Sequence, residues 1–106
     1  MKLIVAVIKP FKLGACIRAL AELGVTDVLH SEARGYGRQK DHLKDYRDDR
    51  FAVAFLPKVR LEFAVEPEQA KSAINALIAA CRTGRQGDGK IWVLEARAAG
   101  VEAVTA

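Results

Sequence analysis

Across residues 35–58 the chain abandons any regular hydrophobic pattern. Ten charged residues of both signs stand from Arg38 to Lys58, and well-patterned segments flank them on either side. Loops of more than about 12–15 residues are uncommon in compact domains and are mostly functional or disordered. In a chain of 106 residues such an excursion divides the sequence into two patterned halves. It predicts a small rigid domain that displays a mobile arm. A solvated hairpin extension without a role is the alternative.

The first half opens with an apolar run at 2–9 that does not alternate, as in a strand covered on both faces, and Pro10 stops it. Over residues 12–23 the apolar positions Leu13, Cys16, Ile17, Leu20 and Ala21 follow the i, i+3, i+4, i+7, i+8 spacing of an amphipathic helix. Gly24 is its C-terminal stop. Residues 25–34 predict a second strand, which Gly35 and Gly37 end or bend.

The second half opens with a strand over 51–65. In it Val59, Leu61, Phe63 and Val65 alternate with Lys58, Arg60, Glu62 and Ala64, so one face is core and the other polar. Pro57 suggests a bulge, or the point where this strand joins its neighbours. Glu66-Pro67-Glu68 is a helix start, and Ala70, Ala73, Ile74, Leu77, Ile78 and Cys81 recur at helical spacing up to Arg82. Residues 83–90 form a glycine-rich loop, residues 91–94 a fourth strand, and the tail from Glu95 is unassigned. The order β-α-β-arm-β-α-β is the split βαβ, ferredoxin-like α+β arrangement: an antiparallel sheet with both helices on one face. The whole chain, 1–106, is then one domain. Its first strand is apolar on both sides, so the other sheet face is expected to be covered by a partner subunit.

A chain this short is marginal alone, and oligomerisation would help it. Its net charge of +4 is spread without long basic runs, which argues against a nucleic-acid tail and suits a phosphorylated small molecule or an anionic surface. No apolar run reaches 18 residues. The N-terminal run reads as a strand rather than a signal peptide, because Lys9-Pro10-Phe11-Lys12 follows it instead of a small-residue cleavage site. A cytoplasmic protein is expected. Cys16 and Cys81 both fall on apolar helical faces and are expected as buried, reduced thiols. No CxxC or HxxxH spacing joins them to His30 or His42 in a metal site.

Three glycines between Thr83 and Lys90 allow backbone N–H groups to turn toward an anion, and Lys90 adds a point charge. Gly35, Gly37 and Arg38 form a second stretch of the same character. Two such segments suggest a polyphosphate cradle; a pair of plain hairpin turns is the rival reading. Ile91 follows Lys90 where a Walker A motif needs Ser or Thr, and Lys40 stands where G-x-G-x-x-G needs its last glycine. No Ser/His/Asp, Cys/His or paired-carboxylate set can be assembled, which favours a binding protein over an enzyme.

Gly35-Tyr36-Gly37-Arg38-Gln39-Lys40, then Phe55-Leu56-Pro57-Lys58-Val59, then residues 83–92 together resemble the PII signal-transduction family, the trimeric nitrogen regulatory proteins. The likeness runs from Met1 to about Leu94. It implies ATP or ADP in clefts between subunits of a homotrimer. The matching positions are Val7, Gly35, Gly37, Arg38, Gln39, Lys58, Glu62, Ala64, Thr83, Gly84, Gly87, Asp88, Gly89 and Lys90. The family's T-loop corresponds to about 37–55 and its B-loop to 83–90. The resemblance makes the T-loop the docking element for a membrane transporter or metabolic enzyme, with Lys40, Asp41, His42, Tyr46, Arg47, Arg50 and Phe51 on it. Gln39 would help hold Mg2+ on bound ATP, and Lys58 would pair with 2-oxoglutarate.

The departures carry their own expectations. Phe51 replaces the tyrosine that is uridylylated in many members, and Tyr46-Arg47-Asp48-Asp49-Arg50-Phe51 is more charged than the usual run. Asp41 takes a glycine's place beside the 2-oxoglutarate site, where its charge would repel that ligand. Gln86 replaces a hydrophobic residue, and the segment 95–106 diverges, with Val101, Glu102 and Ala103 where two phosphate-contacting arginines are expected. Nucleotide binding is therefore expected to be weaker or shifted toward ADP or AMP, and 2-oxoglutarate to bind poorly. Two other readings stay open: a weak Mg2+-dependent nucleotidase of the same fold, and an RNA-binding ferredoxin-like domain using Tyr36 and Trp92.

Overall fold

The computed structural model describes residues 1–38, 53–85 and 88–100. Among these residues four strands and two helices follow one another: β1 (Lys2–Ile8), α1 (Leu13–Glu22), β2 (Leu29–Arg38), β3 (Val53–Val65), α2 (Pro67–Cys81) and β4 (Gly89–Glu95), with a 3-10 turn at Pro10–Lys12 before α1. The sheet is antiparallel throughout, in the order β2-β3-β1-β4. This is the expected α+β, ferredoxin-like architecture. Among the described residues no helix is long and apolar enough to cross a membrane.

Each helix is delimited by local chemistry. At the end of α1, Gly24 takes φ +82. Its N–H donates to Ala21 O at 2.9 Å while that of Val25 donates to Leu20 O at 2.9 Å. These are the paired bonds of a Schellman stop, which only a residue free to adopt positive φ forms without strain. Val25 and Leu20 are both buried, so the hydrophobic contact that accompanies such a stop is present as well. At the start of α2, Pro67 occupies the first turn and the Gln69 Oε1 accepts the Glu66 N–H at 3.2 Å, half of a capping box.

The core lies between the helices and one sheet face. Cys16 and Leu20 of α1 and Ala73, Leu77 and Cys81 of α2 pack on Ile4, Ala6, Ile8, Val59, Leu61, Phe63 and Val65. The period-2 reading of β3 holds: Val59, Leu61, Phe63 and Val65 are all buried. Cross-strand partners in an antiparallel sheet share a face, so the register assigns the rest. Leu3, Val5 and Val7 lie opposite Ala64, Glu62 and Arg60 on one side and Leu94, Trp92 and Lys90 on the other. These residues, with Lys58 and Leu29, form the open face away from the helices. Leu29 is 73% exposed there, Trp92 49% and Leu94 47%, so the open face is substantially apolar.

Three boundaries differ from the sequence expectation. β2 begins at Leu29 rather than Val25 and continues to Arg38, with Gly35 opposite Leu56 and Gly37 opposite Ala54 in an unbroken ladder. The glycines neither end the strand nor interrupt its pairing, because β3 supplies a partner all the way. Pro57 forms no bulge: it pairs in register with Arg34. At that point β1 has already ended, Ile8 facing Val59, so β3 has a neighbour on one side only and tolerates the missing N–H. Finally, β4 begins at Gly89, so Gly89 and Lys90 belong to a strand and not to the preceding loop.

Candidate functional site

The segment entering β4 is organised by one carboxylate. Asp88 Oδ2 accepts the backbone N–H of Thr83 at 2.9 Å and that of Gly84 at 3.0 Å, and Oδ1 accepts the Thr83 hydroxyl. Thr83 Oγ1 in turn accepts the Arg85 N–H at 3.2 Å. Gly84 takes φ +81 in this turn. The side chain of Asp88 thus supplies, within its own loop, the acceptors that the backbone beyond the C-terminus of α2 lacks.

The clasp is also fastened to β1. Lys9, the residue after that strand, places its Nζ 3.2 Å from Asp88 Oδ1, with both side chains about four-fifths buried. The Thr83 hydroxyl and amide bonds, together with Lys9 and the Gly84 amide, hold the Asp88 carboxyl well below the ordinary carboxylate range. Lys58 stands near both groups. Burial, and then the charge of Lys9, push its ammonium below the ordinary lysine value, while Asp88 works against them. Among the described residues Asp88 therefore lies near two partly buried ammoniums. Lys9 was not singled out by the sequence reading; its position directly after an apolar strand and before Pro10 was the available signal.

Gly89 is required where it stands. Its φ is +143, and a Cβ there would lie 2.4 Å from the carbonyl oxygen of Val7. Only glycine lets β4 approach the end of β1 this closely. That approach sets Lys90 directly across from Val7 on the open face.

The other predicted positions divide into three groups. Val7, Lys58, Glu62, Ala64 and Lys90 share the open face by register. They do not converge within this chain: Ala64 is six residues along β3 from Lys58, about 20 Å of strand. Glu62 is occupied by an ion pair with Arg60, at 2.8 Å. Gly35, Gly37 and Arg38 are held in the β2–β3 ladder opposite Leu56, Ala54 and Val53. Gln39, Lys40, Asp41, His42, Tyr46, Arg47, Arg50, Phe51 and Gly87 lie outside the described residues, as do Gln86 and the positions 101–103.

Among the described side chains no exposed aromatics are paired on the central strands β1 and β3. Tyr36 is on β2 and Trp92 on β4, the two opposite edges of the sheet, and Trp92 faces Val5. No group of three His, Cys, Asp or Glu side chains that could hold a metal occurs among the described residues.

Comparison with known proteins matches residues 1–102 to the family described as nitrogen regulatory protein P-II. A nitrogen regulatory protein P-II of Rhizobium etli is 46% identical over 93 residues, covering 88% of this chain and 83% of that protein. That of Rhodospirillum rubrum is 48% identical over the same shares. Nitrogen regulatory protein P-II 1 of Escherichia coli K12 is 44% identical over 95 residues, covering 90% of this chain and 85% of its own length.

Proposed function

The chain belongs to the nitrogen regulatory protein P-II family, and on that premise we propose that it is a homotrimeric, non-enzymatic regulator that binds adenine nucleotide in clefts between its protomers. The observation that carries this reading is the Asp88 clasp. It fastens Thr83 and Gly84 to Asp88 at the root of Lys90 and holds Lys9 near Lys58 at the same end of the sheet, where a phosphate chain would meet cations. ATP or ADP is the expected ligand, with AMP as a further candidate, and Mg2+ would enter with the triphosphate through Gln39.

Two features support clefts between protomers rather than within one. The candidate residues are spread along an open face, and that face is apolar enough to demand cover. Trimer formation supplies both. The segment 39–52 is the proposed docking element for a target, a membrane transporter or metabolic enzyme of nitrogen or related metabolism, approached from the cytoplasm. Phe51 carries no hydroxyl, so uridylylation at that position has no acceptor.

Isothermal titration with ATP, ADP and AMP, with and without Mg2+, tests the proposal. Binding is expected, and Lys90→Ala should weaken it by about 1.5–3 kcal/mol, roughly ten- to a hundredfold. Affinity no greater than for inorganic phosphate would overturn it. With Mg-ATP bound, 2-oxoglutarate is expected to bind weakly at best, because Asp41 sets a negative charge against an anion; micromolar binding would refute that part alone.

A further inference from the structure

Two helices that pack on each other contribute one cysteine each, and the two meet. Cys16 lies in the middle of α1 and Cys81 is the last residue of α2. Their Sγ atoms are 3.0 Å apart, both thiols are free, and Cys16 is fully buried. Packing alone asks only for small apolar side chains at these positions. Two thiols in contact have a chemistry that neither would have alone.

We propose that Cys16 and Cys81 are a redox-active dithiol that closes to an intramolecular disulfide when the folded protein meets a hydroperoxide. The sulfurs need to approach by only about 1 Å to reach disulfide bonding distance. Access comes through Cys81. It lines a cavity of about 390 Å³ between α2 and β4, with Ile74, Ile78, Ile91 and Val93 among its walls.

The oxidation balances in two steps. One thiol sulfur attacks the peroxide, the O–O bond breaks, and sulfenic acid forms with release of one water. The second sulfur then attacks the first, the S–S bond forms, and the sulfenic hydroxyl leaves with the second thiol's proton as another water. Two electrons pass from the sulfur pair to the peroxide. The two thiols sit in unequal electrostatic surroundings. The hydrogen bond with Cys81 lowers the Cys16 thiol below its ordinary value, and the Lys12 ammonium acts in the same direction. The same hydrogen bond, burial and the charges of Cys16 and Asp88 push the Cys81 thiol up, against the pull of Lys12.

The position of the pair gives the bond a consequence. Cys81 is followed by Arg82, whose N–H donates to Ile78 O at 3.0 Å, and then by Thr83, the first member of the Asp88 clasp. A disulfide would anchor the root of that clasp to α1.

The test uses the purified full chain and hydrogen peroxide. After treatment the protein is denatured, free thiols are alkylated, and the intact mass and the peptide map are read without reductant. The expected product has lost two hydrogens, takes up no alkylating agent, remains a single chain on a non-reducing gel and yields a linked pair of peptides bearing Cys16 and Cys81. Its Tm should rise by several degrees and return on adding dithiothreitol. Two alkylatable thiols, sulfinic acid at either cysteine, a disulfide between two chains, or a lower Tm in the bridged form would each overturn the proposal. Cys16→Ala and Cys81→Ala should each abolish the linked product, and the wild-type measurement decides the question even if either variant folds poorly.

Discussion

Replacing Gly89 with alanine tests how β4 is seated. The added Cβ would stand 2.4 Å from Val7 O, where ordinary contact begins near 3.4 Å, so roughly 1 Å of movement is required. The obstacle is a backbone carbonyl of β1, a strand paired on both sides by β3 and β4, and it cannot swing aside as a flexible side chain would. The backbone adds its own cost. Holding an L-residue at φ +143 costs on the order of 1–3 kcal/mol, and forcing an extra carbon into a packed site costs about as much again. The sum, about 2–6 kcal/mol, is a large part of the roughly 5–15 kcal/mol that holds a small protein folded. Urea unfolding at fixed protein concentration measures it. With a slope of about 1–3 kcal/mol per molar, the midpoint should fall by about 1 M or more. Gly84→Ala is the control: its φ is +81, but nothing lies within 4 Å of the added carbon, so only the left-handed backbone term of about 1–2 kcal/mol applies. Equal losses for the two variants, or a Gly89→Ala loss under about 0.5 kcal/mol, would refute the collision argument.

Asp88→Asn should remove stability at neutral pH. Because the folded carboxyl titrates below its ordinary value of 3.8, its contribution is complete above that pH and is lost as pH falls toward the lower folded value; urea midpoints of wild type and variant should therefore converge in acid, and a gap that persists unchanged to about pH 2 would show another cause. Leu77→Ala, at a fully buried position in α2, should cost about 2–5 kcal/mol by urea unfolding; a loss below about 1 kcal/mol would mean that the helix does not pack as described. Light scattering at micromolar concentration should give the mass of a trimer, since a lone protomer leaves Leu29, Trp92 and Leu94 in water; a stable monomer would contradict the proposed assembly.

What could be read in the sequence was whatever depends on one element. The alternation through Val59, Leu61, Phe63 and Val65 is a property of β3 alone, and the helical faces bearing Cys16 and Cys81 are properties of α1 and α2 alone. The element order then gave the ferredoxin-like fold. What escaped depends on pairs of elements. Gly35 and Gly37 look like breakers until residues 53–56 are set beside them. Gly89 looks like part of a loop until β1 is there to pair with it. Lys9 has only its place after an apolar strand as a signal, and its partner Asp88 is 79 residues away in sequence. The two cysteines were each placed correctly on an apolar face, but that the faces meet sulfur to sulfur is a fact of how the helices cross. The polar face of β3 was legible as a face; that its candidate residues extend over about 20 Å rather than converge was not.

The β2–β3 ladder has a consequence for how such a protein can diversify. Pairing continues to Arg38 opposite Val53, so both ends of the intervening segment are fastened side by side before it begins. The conformational cost of closing a loop grows slowly, by only about 0.6 kcal/mol for each doubling in length, and here the strands have already met it. Residues 39–52 can therefore gain, lose or exchange side chains over many generations with little penalty to the core. On the proposed docking role, a lineage could retarget this segment toward a new client while inheriting the same sheet, and the charge-rich run with phenylalanine at 51 is variation of the kind this anchoring permits.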